Sequence, residues 1–152
     1  MPASHNSKGR SKGGGQFVML THFMLNSPAW GELTPAARAV YVELSRRYNG
    51  RNNGWLALSA RDAADRCRVN KDTATRAFRQ LETMGFIECV TPGGFTRKVR
   101  HAAEWRMTSE RCDRTGAPAT KAFMRWRPPA APVDISRSGI KDQSVPRFGT
   151  LE

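Results

Sequence analysis

The sequence predicts one α+β domain with a flexible segment at each end. A chain of 152 residues has room for a single domain. Two helical patterns separated by a short break lie between residues 58 and 85, and strand-like runs follow from 86 to 107. Glycine, serine and proline are frequent near both ends, which favours disorder. We therefore expect a basic arm at 1–16, the domain at 17–108, an extension at 109–127 and a disordered tail at 128–152.

The first elements of the domain are predicted from apolar runs and helix-start residues. The apolar run 17–20 predicts a strand or an extended segment, and 22–26 predicts one helical turn that ends before Pro28. Thr34 followed by Pro35 is typical of a helix start, and apolar residues continue at helical spacing to Tyr48. The loop 49–54 contains two Asn-Gly steps suited to positive φ, and a short strand is expected at 55–58.

Two helices joined by a tight turn are predicted between Leu58 and Gly85. Ser59 is a good N-cap for the first helix and Asn70 for the second. The first helix carries small residues, and the second carries an apolar stripe of Ala74, Ala77, Phe78, Leu81 and Met84. Small residues allow the second helix to cross the first closely, as a helix-turn-helix requires. An ordinary helical hairpin in a small core is the alternative.

The residues after Gly85 predict a pair of strands and a basic loop. Residues 86–91 form the first strand, and the pattern at 103–107 alternates as a half-buried strand should. Two registers are open: a tight hairpin closed at Pro92-Gly93, or a long loop over 92–102. Both expose Arg97, Lys98 and Arg100. Further on, 118–126 predicts a short helix that packs on the domain or on a protein partner, and we favour the domain.

The charge of the chain predicts an acidic polymer as its partner. The formal net charge is +12, which is a large excess for solubility alone. No apolar run reaches the roughly 18 residues of a membrane span, and the polar N-terminus lacks a signal-peptide core. Three cysteines without CxxC spacing predict a reduced, cytoplasmic setting, with Cys67 and Cys89 as small core residues rather than ligands.

The residue patterns favour binding over catalysis. The sequence has no Gly-rich phosphate loop between a strand and a helix, no metal-ligand cluster and no convincing pair of carboxylates. We therefore predict a protein that is not an enzyme, needs no cofactor or metal, and binds double-stranded DNA. Base edges give sequence information, whereas phosphates give position. The candidate contacts are Ser59 and Arg61 on the first helix, Asn70, Lys71, Thr73, Thr75, Arg76 and Arg79 on the second, and Arg97, Lys98 and Arg100 on the loop.

Several segments resemble a group of winged-helix proteins found in α-proteobacterial genomes, phages and plasmids. These segments are LTPAARAVYVEL, YNGRNNGWLALS and GFIECVTPGGF, together with the helix pair between them. The group is related to the winged-helix parts of plasmid replication initiators, and the second helix also resembles that of GntR-type regulators. The resemblance implies a winged helix-turn-helix over 17–108 and major-groove roles for Asn70, Lys71, Thr73, Thr75 and Arg76. Replication initiators usually carry two such domains, whereas 152 residues hold one.

These observations predict a transcriptional regulator of a mobile element or phage-like region. A replication or partition accessory that binds a plasmid or phage origin is one alternative, with Phe123 and Trp126 in a docking segment. A protein- or RNA-interaction module is the other. A lone reading unit contacts few base pairs, so we also predict a homodimer on a palindromic or repeated site. The candidate dimer surfaces are 22–30 and 118–126.

Overall fold

The computed structural model describes residues 16–95 and 100–130. Over these ranges it has five α-helices and a three-stranded antiparallel sheet, which confirms the predicted α+β class. The helices are α1 His22–Leu25, α2 Pro28–Glu32, α3 Pro35–Ser45, α4 Ala60–Cys67 and α5 Lys71–Thr83. The strands are β1 Leu56–Ala57, β2 Ile87–Thr91, β3 Gly94–Phe95, β4 Arg100–His101 and β5 Glu104–Met107. The predictions for the arm before Gln16, for the tail after Ala130, and for Arg97 and Lys98 lie outside the described residues.

The first three helices each begin at a hydroxyl cap. The side chains of Thr21, Ser27 and Thr34 accept hydrogen bonds from backbone N–H groups in the first turns of α1, α2 and α3. The predicted turn at 22–26 is confirmed as α1, and the predicted start of α3 is correct. Helix α2 was not predicted: Pro28 ends the preceding turn and is also the first residue of the new helix, a position that favours proline. Helix α3 ends at Ser45 and is shorter than predicted.

The helix pair α4 and α5 agrees with the sequence pattern. Ser59 and Asn70 cap the two helices, and the whole predicted apolar stripe of α5 is buried. Arg68 ends α4 in the left-handed region, with φ 57°, and its N–H donates to the Ala64 carbonyl. Gly85 ends α5 with φ 81°, and a Cβ there would lie 2.8 Å from the backbone of Ala122. A side chain at position 85 is therefore excluded by conformation and by space.

Strand β5 lies at the centre of the sheet. It pairs antiparallel with β1 on one side and with β2 on the other, in the order β1-β5-β2. The β2–β5 ladder is irregular between Cys89 and Thr91, and β3 and β4 then form a separate pair. Of the two registers left open, the long loop over 92–102 is therefore correct. Gly94 and Phe95 pair with His101 and Arg100, so the chain has not yet reversed direction at Pro92 and Gly93, and no tight hairpin closes there.

The segment after β5 packs back on the core. Phe123 is buried, and its ring stacks on that of Phe86 with centroids 4.9 Å apart and 4° between the planes. The predicted helix over 118–126 is wrong, since only Ala122–Met124 form a short 3-10 turn. Its favoured packing on the domain is confirmed. Cys89 is exposed, so its prediction as a core residue is wrong; the buried cysteine is Cys112.

Asn53 connects the loop before β1 to the chain after β5. Its side chain is fully buried. Its amide nitrogen donates to the carbonyls of Met107, Glu110 and Arg111 at 2.9, 3.3 and 2.9 Å, and its amide oxygen accepts from the Met107 N–H at 2.7 Å. The sequence pattern predicted only a turn here. In the part of the chain that the structure describes, no helix is both long and apolar enough to cross a membrane.

Candidate nucleic-acid interface

The candidate interface centres on the exposed face of α5. Successive residues turn by about 100° around a helix, so the buried stripe places Asp72, Arg76, Arg79 and Thr83 on the opposite side. All four are exposed. Lys71 is exposed on the first turn, whereas Thr73 and Thr75 flank the face and are half-buried. The two arginines are one turn apart and thus project in the same direction.

Within the part of the chain that the structure describes, the cations on this face make no ion pair with a carboxylate. Among the described residues, five arginine–carboxylate pairs form, and they lie elsewhere: Arg46–Glu43, Arg47–Asp62, Arg66–Asp62, Arg106–Glu88 and Arg114–Glu104. None includes Arg61, Lys71, Arg76 or Arg79. Arg76 makes a long contact of 3.5 Å from its guanidinium to the Thr73 hydroxyl. Apart from Asp72 and Glu82, the exposed charged side chains of the helix are thus positive and available to an anionic ligand.

The side chains of the predicted contact residues Asn70, Ser59 and Thr75 bond the backbone of the helix pair. The Asn70 side-chain oxygen accepts from the Thr73 N–H at 2.7 Å, and the Ser59 hydroxyl accepts from the Asp62 N–H at 3.1 Å. The Thr75 hydroxyl donates to the Lys71 carbonyl at 2.9 Å. These groups hold the ends and first turn of the helix pair, and their contacts with DNA stay predictions. Arg61 is exposed on the first turn of α4.

Gln80 anchors the flank of α5, although no sequence pattern singled it out. Its side-chain oxygen accepts from the backbone N–H of Thr34 at 3.2 Å and from the Thr34 hydroxyl at 2.9 Å. Its amide nitrogen donates to the Glu32 carbonyl at 3.2 Å. One feature of the sequence could have indicated this role. Gln80 lies at the border between the apolar stripe and the exposed face, where a long polar side chain can reach a neighbouring helix.

Trp105 supports α5 from the sheet side. Its ring stacks on Phe78, and its indole N–H donates to the Leu58 carbonyl at 3.0 Å. The tryptophan therefore contacts the middle of α5 and the residue just before the cap of α4. The exposed face of α5 is thus backed by the sheet as well as by α3.

The loop over 92–102 is the second part of the candidate interface. Arg100 is exposed on β4. The neighbouring His101 ring lies against Gly94, where any Cβ would overlap it, and its Nε2 lies 3.1 Å from the Pro92 carbonyl oxygen. These contacts fix the base of the loop and thereby the direction in which β3 and β4 leave the sheet. Over the described residues, no group of three or more His, Cys, Asp or Glu side chains is arranged to hold a metal ion.

None of the protein-family models, curated proteins or solved structures compared with this chain matches it. Its function is therefore inferred from the arrangement of its own residues.

Proposed function

We propose that the chain is a winged helix-turn-helix domain that binds double-stranded DNA in a sequence-specific way. The observation that carries the proposal is the exposed face of α5, whose arginines have no carboxylate partner among the described residues, whereas five arginines elsewhere in the described chain are paired. An unneutralised cationic helix face, held from behind by α3 and by the sheet, fits the major groove in width and in charge.

The order of elements supports the winged-helix interpretation. Strand β1 lies between α3 and α4 in sequence and joins the sheet at the edge of β5. Helix α5 is followed directly by β2, and β2 pairs with β5 across the loop 92–102. In this interpretation α4 and α5 are the helix-turn-helix, and the loop is the wing. The resemblance noted from the sequence has the same order of elements.

The binding mode assigns different tasks to the helix and the wing. Arg76 reads a base edge, because arginine binds the O6 and N7 atoms of guanine in a bidentate way. Lys71 and Arg79 lie on either side of it along the exposed face and contact bases or phosphates. Arg100, together with Arg97 and Lys98, holds phosphates from the wing, and the basic arm adds further phosphate contacts.

We propose that this binding serves transcriptional regulation of a mobile element or phage-like region in a bacterial cytoplasm. The alternative role in replication or partition uses the same DNA contacts and adds a docking segment at 118–126. Phe123 is buried against Phe86, so docking would depend on Trp126 and its exposed neighbours. We favour the regulator for this reason.

A homodimer is part of the proposal. The two surfaces predicted for dimer contacts adjoin, since Phe23 of α1 packs edge-on against Phe123 with centroids 6.3 Å apart. The Lys121 ammonium lies 5.3 Å from the centre of the Phe23 ring. Phe23 remains 52% exposed. A partner copy at this surface would leave both α5 helices free for neighbouring half-sites.

Selection of bound sequences from random duplexes tests the proposal directly. The full chain is incubated with the random pool, and the enriched sequences are compared with single-stranded DNA and RNA competitors. A recovered duplex motif supports sequence-specific binding, and two-fold or direct repetition in it supports the dimer. Equal binding of all duplexes, or preference for RNA, contradicts the proposal and favours an interaction module.

A further inference from the structure

An open groove separates the first turn of α3 from the first half of α5. Its volume is about 670 Å³, and Pro35, Ala36, Val69 and Ala77 supply mostly apolar walls. Thr73 and Arg76, which belong to the proposed DNA-reading face, also line it. The two helices contact each other elsewhere and share one hydrophobic core. The groove is therefore a local gap between two packed helices. Because its walls are mostly apolar, a movement of α3 and α5 towards each other would be favourable.

Gln80 is the side chain that bridges this groove. Its amide group accepts two hydrogen bonds from Thr34 and donates one to the Glu32 carbonyl. Thr34 is itself fixed as the N-cap of α3, because its hydroxyl accepts from the Ala37 N–H at 3.2 Å. Gln80 thus ties the flank of α5 to a backbone position that cannot move independently of α3.

We infer that Gln80 is a positioning residue, which holds α5 at the angle that sets the base selectivity of the domain. The inference rests on the proposed function. Arg76 lies one turn before Gln80 on the same side of α5 and lines the same groove. A tilt of α5 that narrows the groove therefore displaces the Arg76 guanidinium. Recognition geometry tolerates displacements of only about 0.5 Å or 10–20°, so this tilt weakens base reading more than phosphate binding.

The variant Gln80→Met tests the inference. Methionine keeps a similar side-chain length and helix propensity but makes none of the three hydrogen bonds. We expect the ratio of selected-site to random-DNA affinity to fall by about tenfold, on the scale of one good base contact. The slope of log affinity against log salt should not change, because Gln80 carries no charge. Asn49→Ala, which replaces an exposed uncharged side chain outside the candidate interface, is the control and should change neither quantity.

Gln80→Glu separates positioning from simple loss of packing. Glutamate keeps an oxygen acceptor for both Thr34 donors and loses only the donor to the Glu32 carbonyl. Its negative charge weakens binding to the selected site and to random DNA alike. We therefore expect the affinity ratio of Gln80→Glu to be closer to the wild-type value than that of Gln80→Met. A ratio as low as that of Gln80→Met would overturn the role assigned to the Thr34 bonds.

Hydrogen exchange of the Thr34 amide, measured without DNA, reports the bridge itself. The exchange should accelerate in Gln80→Met and stay unchanged in Asn49→Ala, with cooperative thermal melting confirming that both variants fold. An unchanged Thr34 exchange or an unchanged affinity ratio in Gln80→Met overturns the inference alone. A wild-type protein that selects no DNA sequence overturns the proposed function, while the exchange measurement still decides whether Gln80 bridges the groove.

Discussion

The indole ring of Trp105 lies almost parallel to the phenyl ring of Phe78, with centroids 4.7 Å apart and 11° between the planes. Phe78 belongs to the buried stripe of α5, and Trp105 lies in the central strand β5. Since the indole N–H also binds the Leu58 carbonyl, a single side chain joins α5, the sheet and the start of the helix pair. The direction of α5 is therefore coupled to that of the strands from which the loop 92–102 extends.

Replacement of Arg76 by alanine should weaken binding to a selected site far more than binding to random DNA. A guanine contact contributes discrimination of about 1–3 kcal/mol, which corresponds to a large loss in the ratio of the two affinities. Both affinities are measured at several salt concentrations. Arg46→Ala is the matched control, because Arg46 is an exposed arginine paired with Glu43. An unchanged ratio in Arg76→Ala would show that α5 does not read the bases.

Replacement of the basic loop residues should have a different signature. Arg97→Ala or Lys98→Ala should weaken binding to selected and random DNA alike, because phosphate contacts carry no base preference. Each lost contact should reduce the slope of log affinity against log salt by roughly 0.9. The measurement is a salt titration with each duplex. A change in the affinity ratio without a change in slope would instead assign base reading to the loop.

Phe123→Ala should destabilise the whole domain by about 3–5 kcal/mol, the usual cost of removing a buried phenyl ring. The ring is 1% exposed and stacks on Phe86. Phe17→Ala is the matched control, because Phe17 is 84% exposed and should contribute little. Urea unfolding of both variants measures the difference. Similar free energies of unfolding for the two would mean that the segment after β5 does not stabilise the core.

Asn53→Ala should lower the free energy of unfolding by about 3 kcal/mol or more, because it leaves buried carbonyl groups and the Met107 N–H without partners. Asn49→Ala tests the same chemistry in the same loop. Asn49 is exposed, and its side-chain oxygen accepts one local hydrogen bond, from the Arg51 N–H. We expect its replacement to cost less than about 1 kcal/mol. Equal losses in urea unfolding would contradict the role assigned to Asn53.

Tyr41 should make the fold sensitive to alkaline pH. Burial raises the pKa of Tyr41 above its ordinary value of 10.0, so the folded state favours the neutral phenol. This stabilisation is complete below pH 10.0 and is lost as the pH rises through the raised pKa. In Tyr41→Phe the alkaline loss of stability should be smaller, although the hydrogen bond to Ser109 is also removed.

Thermal unfolding between neutral pH and pH 11 measures this effect, with Tyr48→Phe as the control. The pKa of Tyr48 is also raised by burial, but Tyr48 is only half-buried, so its replacement should preserve most of the alkaline loss. An identical pH profile for wild type and Tyr41→Phe would contradict the assignment.

Local features of the fold were predictable from the sequence because their causes are local. Thr34, Ser59 and Asn70 cap helices through N–H groups three residues away, and the apolar stripe of α5 follows directly from helical spacing. The class of the fold followed from these elements. The candidate residues on α5 were predictable for the same reason, since one buried stripe defines the opposite face.

The remaining features depend on partners far away in the chain. Gln80 bonds Thr34 across 46 positions, and Asn53 bonds Met107 across 54. An Asn-Gly step looks the same in sequence whether its asparagine is in an exposed turn or is buried among carbonyls. The choice between the two loop registers likewise depended on the pairing of β3 with β4, which no local pattern specifies. Helix α2 was not predicted for a simpler reason. Pro28 both ends the preceding turn and begins the next helix.

The contacts of Asn53 and Phe86 also bear on the synthesis of the protein. Both residues receive their partners from the stretch between Met107 and Phe123, which leaves the ribosome after all five helices. Synthesis proceeds at about 5–20 residues per second, so the five helices are complete before the segment that packs on them. A nascent chain that stops before Met107 lacks this segment. Such a fragment leaves the Asn53 side chain without its hydrogen-bond partners and uncovers the face of Phe86 on which Phe123 stacks. We therefore expect a prematurely terminated chain to be degraded by proteases. It should not accumulate and compete with the complete protein.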